Sequence, residues 1–276
     1  MDAVVIRWAA VSRRRDTGAV RATLEAARLA LESNPRQAER RAARAVRDVR
    51  RLEDRSLRAE ALTVWAEALL ALERHGDARA AAGEGAQLAP WHARAWRAAA
   101  TSARRSAEPA EAVTALRRLV ELRPRDAEAW HELGRASWWT GDRDGAGEAF
   151  GRAARLDPRR FVVPIRVATV EFQRIAVEVW RSIPDPFQTR MANTMATIEE
   201  LPDAEDVADG LDPDVLGLYE GGTALEEADW FERILIFQRN HEAVCATLGE
   251  LREEVRRTIL HEVGHHFGMD HDELPY

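Results

Sequence analysis

At 276 residues the chain is long enough for two domains, and its charged content and net charge of −7 are those of a soluble globular protein. No apolar run approaches the roughly 18 residues of a membrane span, the start Met1-Asp-Ala-Val-Val-Ile-Arg-Trp8 does not make a secretory signal, and the single Cys245 excludes an internal disulfide. Together these predict a cytoplasmic protein with no membrane partner. All 40 basic residues are arginine. With the high alanine content, this reads as the codon bias of a GC-rich bacterium and not as nucleic-acid binding. Residues 1–160 hold 31 arginines against 23 acids, and residues 161–276 hold 9 against 24. The split predicts a domain boundary near 160 and an attraction that could dock the acidic half on the basic one.

Residues 1–17 carry no readable pattern. Residues 18–57 have helical periodicity with a break at Ser33-Asn34-Pro35, as a degenerate helix pair capping a repeat array. Three segments align at a spacing of 34 residues: 59–92, 93–126 and 127–160. In the third, Trp130, Leu133 and Gly134 open one helix, Ala146, Phe150 and Ala153 stripe a second, and Pro158 ends the unit. The second keeps Trp96, Ala112, Leu116 and Pro124; the first keeps Ala78 and Pro90. Small residues at Ala78, Ala112 and Ala146 let paired helices approach, and Gly76-Asp77 and Gly141-Asp142 are expected at the turns. This pattern resembles the tetratricopeptide repeat. The resemblance implies a concave groove lined by the first helix of each pair. It places Arg94, Arg97, Arg104, Arg105, His131 and Arg135 there, over a floor of Trp138 and Trp139. Such a groove suits an acidic peptide; a solvated arginine face without a ligand is the competing reading.

In the second half, Thr169 to Ile183 is an amphipathic helix stopped by Pro184, with Phe172, Ile175, Ala176 and Val179 on one side. Asn193 to Glu199 reads as a strand, and Gly217 to Gly222 as a glycine-flanked turn. Leu201 to Asp214 is an acidic loop, read as solvated, with a cleft rim or a partner for the arginine-rich repeat face as the alternatives. Phe231 to Phe237 is the clearest strand, and Asn240 to Ala246 a short helix carrying Cys245, a small buried apolar residue. His241 carries no pattern. Thr247-Leu-Gly-Glu250 is a capping box. The helix it starts has Leu251, Val255, Ile259, Val263 and Phe267 at four-residue spacing, a stripe that anchors it in the core.

On that helix stands His261-Glu262-x-x-His265, followed by Gly268 and His271. Two histidines four apart share a helix face and reach one metal ion; a third ligand leaves the fourth position open, as in a catalytic zinc site. Asp270 and Asp272 compete with His271 for the third place. Glu262 is placed to act as general base in peptide-bond hydrolysis, with a zinc-bound water whose pKa falls toward ~7. His266 points about 100° away from His265 and is expected to be solvent-facing or to support a ligand. Tyr219 or Tyr276 is available to an oxyanion, against a plain packing role.

With the upstream landmarks GLYEG at 217–221 and ILIF at 234–237, residues 169–276 resemble the small bacterial zincin-like metallopeptidases. That family usually has Asp where this chain has His271. The resemblance implies an all-α tetratricopeptide-like repeat array (1–160) followed by a small α+β zincin-like domain (161–276), with Zn²⁺ as cofactor. The expected function is a zinc metallopeptidase whose repeats recruit a protein partner or substrate. The alternative is a repeat-based interaction module whose zincin domain binds zinc with little or no activity.

Overall fold

Residues 2–191, 193–221, 232–267 and 269 are described by a computed structural model, with the backbone alone for residues 2–15 and Pro186. The first part is helical: α1 (Asp2–Leu29), α2 (Pro35–Val49), α3 (Arg55–Leu70), α4 (His75–Leu88), α5 (Ala93–Arg105), α6 (Pro109–Leu122), α7 (Ala127–Trp139) and α8 (Arg143–Leu156). Each packs on its neighbours in sequence, the contact pattern of a solenoid. Asn34, Asp54, Asp126 and Asp142 cap α2, α3, α7 and α8 by accepting from backbone N–H groups of the first turn. The first helix begins at Asp2, earlier than the helix pair expected over 18–57, and α3 starts at Arg55 after a second break at residues 50–54.

The 34-residue period has a structural counterpart in several contacts. Ala78, Ala112 and Ala146 are fully buried between paired helices. The Trp96 and Trp130 indoles each donate to a proline carbonyl six residues back, Pro90 at 2.9 Å and Pro124 at 3.1 Å. At Gly134 a Cβ would lie 2.8 Å from the Phe150 ring, so α7 and α8 approach this closely only with glycine there. Gly76-Asp77 does not form a turn. It lies in the first turn of α4, and the reversal falls at Glu73. Equivalent positions in successive hairpins adopt positive φ: Glu73 (59°), Ala107 (55°) and Gly141 (76°). Only the glycine does so without strain. Ala107→Gly is therefore expected to stabilise the array by about 0.5–1 kcal/mol in urea unfolding, the relief of left-handed strain less the added freedom of the unfolded chain.

Residues 157–168 lead to α9 (Thr169–Arg181) and α10 (Asp185–Arg190). Then come β1 (Thr194–Glu199), α11 (Ala204–Ala208), β2 (Gly217–Glu220), β3 (Glu232–Phe237), α12 (Gln238–Val244) and α13 (Leu248–His266). The sheet order is β1-β3-β2, with β1 parallel and β2 antiparallel to β3. Ile234 and Ile236 of β3 meet Phe172 and Ile175 of α9 and the stripe Leu251, Val255, Ile259 and Val263 of α13 in one core. Full burial of each such aliphatic side chain is worth about 1.5–3 kcal/mol, and this fixes the rotation of α13 about its axis.

Two expectations change here. Residues 217–220 are a strand, not a turn: Leu218 and Tyr219 pair with Leu235 and Ile234. The stretch 201–214 is not a solvated loop throughout: it contains α11 and lays Asp212 and Asp214 against the array, as its alternative reading has it. Cys245 sits just past α12 and is buried, and burial pushes its thiol up to about 12.

The connection between the parts is pinned. Ile165 donates its N–H to Cys245 O at 2.8 Å. Glu242, fully buried, accepts from the Val167 N–H at 3.1 Å, Gln238 Nε2 at 2.8 Å and Arg239 Nη1 at 2.9 Å.

Candidate metal centre

Helix α13 sets the site. Thr247 Oγ1 accepts from Glu250 N at 3.2 Å, and Glu250 Oε2 accepts from Thr247 N at 3.2 Å, closing the expected capping box. With the apolar stripe turned into the core, His261 and His265 emerge half-buried on another face. Their Nε2 atoms are 3.0 Å apart, with ring planes at 86°. Glu262 lies between them in sequence and is 7% exposed. Burial pushes its carboxyl up to about 7, against the lowering effect of a hydrogen bond from the Tyr219 backbone. Third-ligand candidates His271, Asp270 and Asp272, with Gly268 and Tyr276, lie outside the described residues.

A cleft of about 350 Å³ opens over this face, bounded by Val215, Leu216 and Gly217 on one side and by Thr258, His261 and Glu262 on the other. Gly217 brings β2 against α13: a Cβ there would lie 2.6 Å from Thr258 Cγ2 and 3.1 Å from Glu262 Oε1. Gly217→Ala is expected to push strand and helix apart, costing about 1–3 kcal/mol of stability in denaturant unfolding. An unchanged midpoint would show the contact to be slack.

His266 turns the other way, as its helical position demands, but it is buried in the sheet-side packing and does not face solvent. Its Nδ1 is 2.9 Å from Glu232 Oε2 and 3.3 Å from the Tyr219 hydroxyl. Glu232 also accepts from Thr194 Oγ1 at 2.7 Å. Tyr219 is thereby committed to this cluster; burial and the Glu232 charge push its hydroxyl up to about 12.

Sequence reasoning passed over two residues of α12. His241 is fully buried, with Nδ1 2.9 Å from Phe237 O and Nε2 2.9 Å from Thr258 Oγ1. Burial lowers its pKa to about 4, so the ring is neutral, and it braces Thr258 one turn before Glu262. Asn240 donates from Nδ2 to Pro213 O at 2.9 Å and Val215 O at 2.6 Å, holding the opposite rim. A lone His and a lone Asn after a strand have no spacing signature.

The six groove residues divide. Arg94 pairs with Glu67, Nη2 to Oε2 at 2.7 Å, and Arg97 with Asp126, both inside the array. Arg104 pairs with Asp214, Arg105 reaches Asp212 at 2.7 Å, and Arg135 Nε lies 2.9 Å from Asp214 Oδ1. Burial alone would raise the Asp214 carboxyl, yet Arg104 and Arg135 hold it below the usual carboxylate range. His131 packs between Phe150 and Phe161 and hydrogen-bonds to the Ala243 backbone; burial, with Arg135 nearby, lowers its pKa to about 4. Trp138 packs at a tilt of 58° against Phe150, and Trp139 lines a small cavity with Pro213.

Residues 191–276 match the family model described as zincin-like metallopeptidase, and residues 93–136 match that of the tetratricopeptide repeat. Both domains are therefore carried by one chain. Among solved structures, a crystal structure of MamA protein is similar at 20% identity, with 53% of this chain and 78% of that one covered and a TM-score of 0.43. Another, MamA 41-end from Desulfovibrio magneticus RS-1, is 21% identical over 59% of this chain and 84% of that one, with a TM-score of 0.43. No curated protein matches the sequence.

Proposed function

We propose that this chain, a zincin-like metallopeptidase domain joined to tetratricopeptide repeats, is a zinc-dependent peptidase whose repeats recruit a protein partner or substrate. The observation that carries the reading is the convergence of His261 and His265 Nε2, 3.0 Å apart, next to buried Glu262, with His261 and Glu262 lining a cleft. The donor set fits zinc: His261 and His265, whose Nε2 atoms are 3.0 Å apart, would hold the ion, with His271 as the third donor in the pattern. When bound, zinc supplies Lewis acidity to a peptide carbonyl and acidity to a water.

The remaining work belongs to the chain. Glu262 takes the proton of the attacking water and delivers it to the departing amine. Its carboxylate is oriented by the Tyr219 backbone N–H and by the close approach of Gly217. His241 keeps Thr258 and that turn of α13 in place without touching the reacting atoms.

Elemental analysis tests the metal. Wild-type protein refolded or dialysed with zinc is expected to hold about one ion per chain. Loss of a supporting residue near a metal ligand costs about 10–100-fold in affinity, so His265→Ala and His271→Ala should each cost about 100-fold or more. A wild-type chain that takes up no zinc, or a His265→Ala chain that holds it as tightly, overturns the reading. If His271→Ala alone leaves binding intact, the third donor is Asp270 or Asp272.

A further inference from the structure

The face of the array presented by α5 and α7 already carries a peptide segment. Arg104 of α5 and Arg135 of α7, with side chains 13% and 12% exposed, converge on the carboxylate of Asp214. Arg135 Nη2 also reaches the Asp214 carbonyl at 3.5 Å, and Arg105 holds Asp212 at 2.7 Å. Between the two acids, Pro213 borders a small cavity whose other walls are Ala107, Pro109, Ala136 and Trp139. The other carboxylate in reach of Arg104 is Glu132 at 3.9 Å, which already faces Arg97 at 3.5 Å. Whatever covers Arg104 and Arg135 takes both guanidinium groups out of water, and two covered cations need a counter-charge, so the occupant that fits carries a carboxylate.

The contacts that hold the segment are those by which an independent peptide is read: two carboxylates two residues apart, a proline ring between them and one main-chain carbonyl. We propose that the groove between α5 and α7 is a binding site for an extended acidic peptide of this kind, and that Asp212-Pro213-Asp214 is its resident occupant. An incoming peptide exchanges with the segment. The next two residues, Val215 and Leu216, form the rim of the cleft, so occupancy of the groove by another peptide releases that rim. Peptide recruitment by the repeats is taken from the functional reading above; the chemistry at Glu262 is not needed, so binding and hydrolysis can fail separately.

The test uses the full chain and a fluorescein-labelled peptide Gly-Leu-Asp-Pro-Asp-Val-Leu-Gly, the sequence of residues 210–217, followed by anisotropy at low salt. The variant Asp212→Asn with Asp214→Asn removes the internal competitor and should bind at least about tenfold tighter than wild type, because apparent affinity scales with the fraction of open groove. The same peptide with Asn-Pro-Asn should bind about tenfold more weakly or not at all. Equal affinity for both peptides, or no gain in the variant with its circular dichroism unchanged, overturns the proposal. Should the variant fail to fold, hydrogen exchange on wild type decides: saturating unlabelled peptide should speed exchange at residues 210–216, and unchanged exchange up to the solubility limit overturns it.

Discussion

Glu262→Gln is expected to leave zinc content unchanged and to lower peptide hydrolysis by about 10²–10⁴-fold, the usual contribution of a positioned general base. Gln keeps the size of the buried side chain, and its carbonyl oxygen can still accept from the Tyr219 N–H. What it loses is the ability to take a proton. The measurement pairs kcat on a peptide library with elemental analysis of the same preparation. Unchanged hydrolysis would remove Glu262 from the reaction. Loss of zinc along with activity would make it a residue that holds the centre together. His265→Ala serves as the contrast, because it should lose metal and activity together.

Glu242→Ala is expected to cost about 3–5 kcal/mol of stability, as for other buried ion pairs stripped of one partner. The carboxylate is fully buried and takes three donors, and one of them, the Val167 N–H, belongs to the connection between the repeats and the sheet. Alanine leaves that N–H, Gln238 Nε2 and one side of the Arg239 guanidinium without their acceptor. Urea unfolding measures the loss. Replacing both members of the pair, Glu242→Leu with Arg239→Met, should recover most of it, since an apolar pair needs no counter-charge. A single variant that loses under about 1 kcal/mol would mean that water or Glu200 takes over Arg239.

Local features were readable from the sequence. The α13 stripe, its capping box, the strand at 232–237 and the repeat period each rest on residues a few positions apart, and the structure places them as the spacing implies. What was misread depends on distant partners. Residues 217–220 look like a turn because glycines flank them, and they become a strand only by pairing with β3. The stretch 201–214 looks first like a solvated loop because it is acidic, and its alternative reading, a partner for the arginine-rich face, is the one its end takes. The charge difference between the halves pointed to an attraction but could not choose Asp212 and Asp214 from among the acids, a choice made by the position of Arg104, Arg105 and Arg135 across two helices. His241 and Asn240 were missed for the same reason, since their partners Thr258, Pro213 and Val215 lie 17 to 27 residues away.

The segment carrying Asp212 and Asp214 is held at both ends, by Arg239 on Glu200 before it and by the Phe237 N–H on Leu216 after it. Its carboxylates therefore meet the arginines at an effective concentration on the order of millimolar, as for any short intramolecular link. That sets a threshold in the surrounding solution. Under the proposed exchange, a dilute acidic peptide with the same contacts would leave the chain closed, whereas one that is abundant, multivalent or longer than the resident segment would cross it. The set point would then be written into the length of the tether.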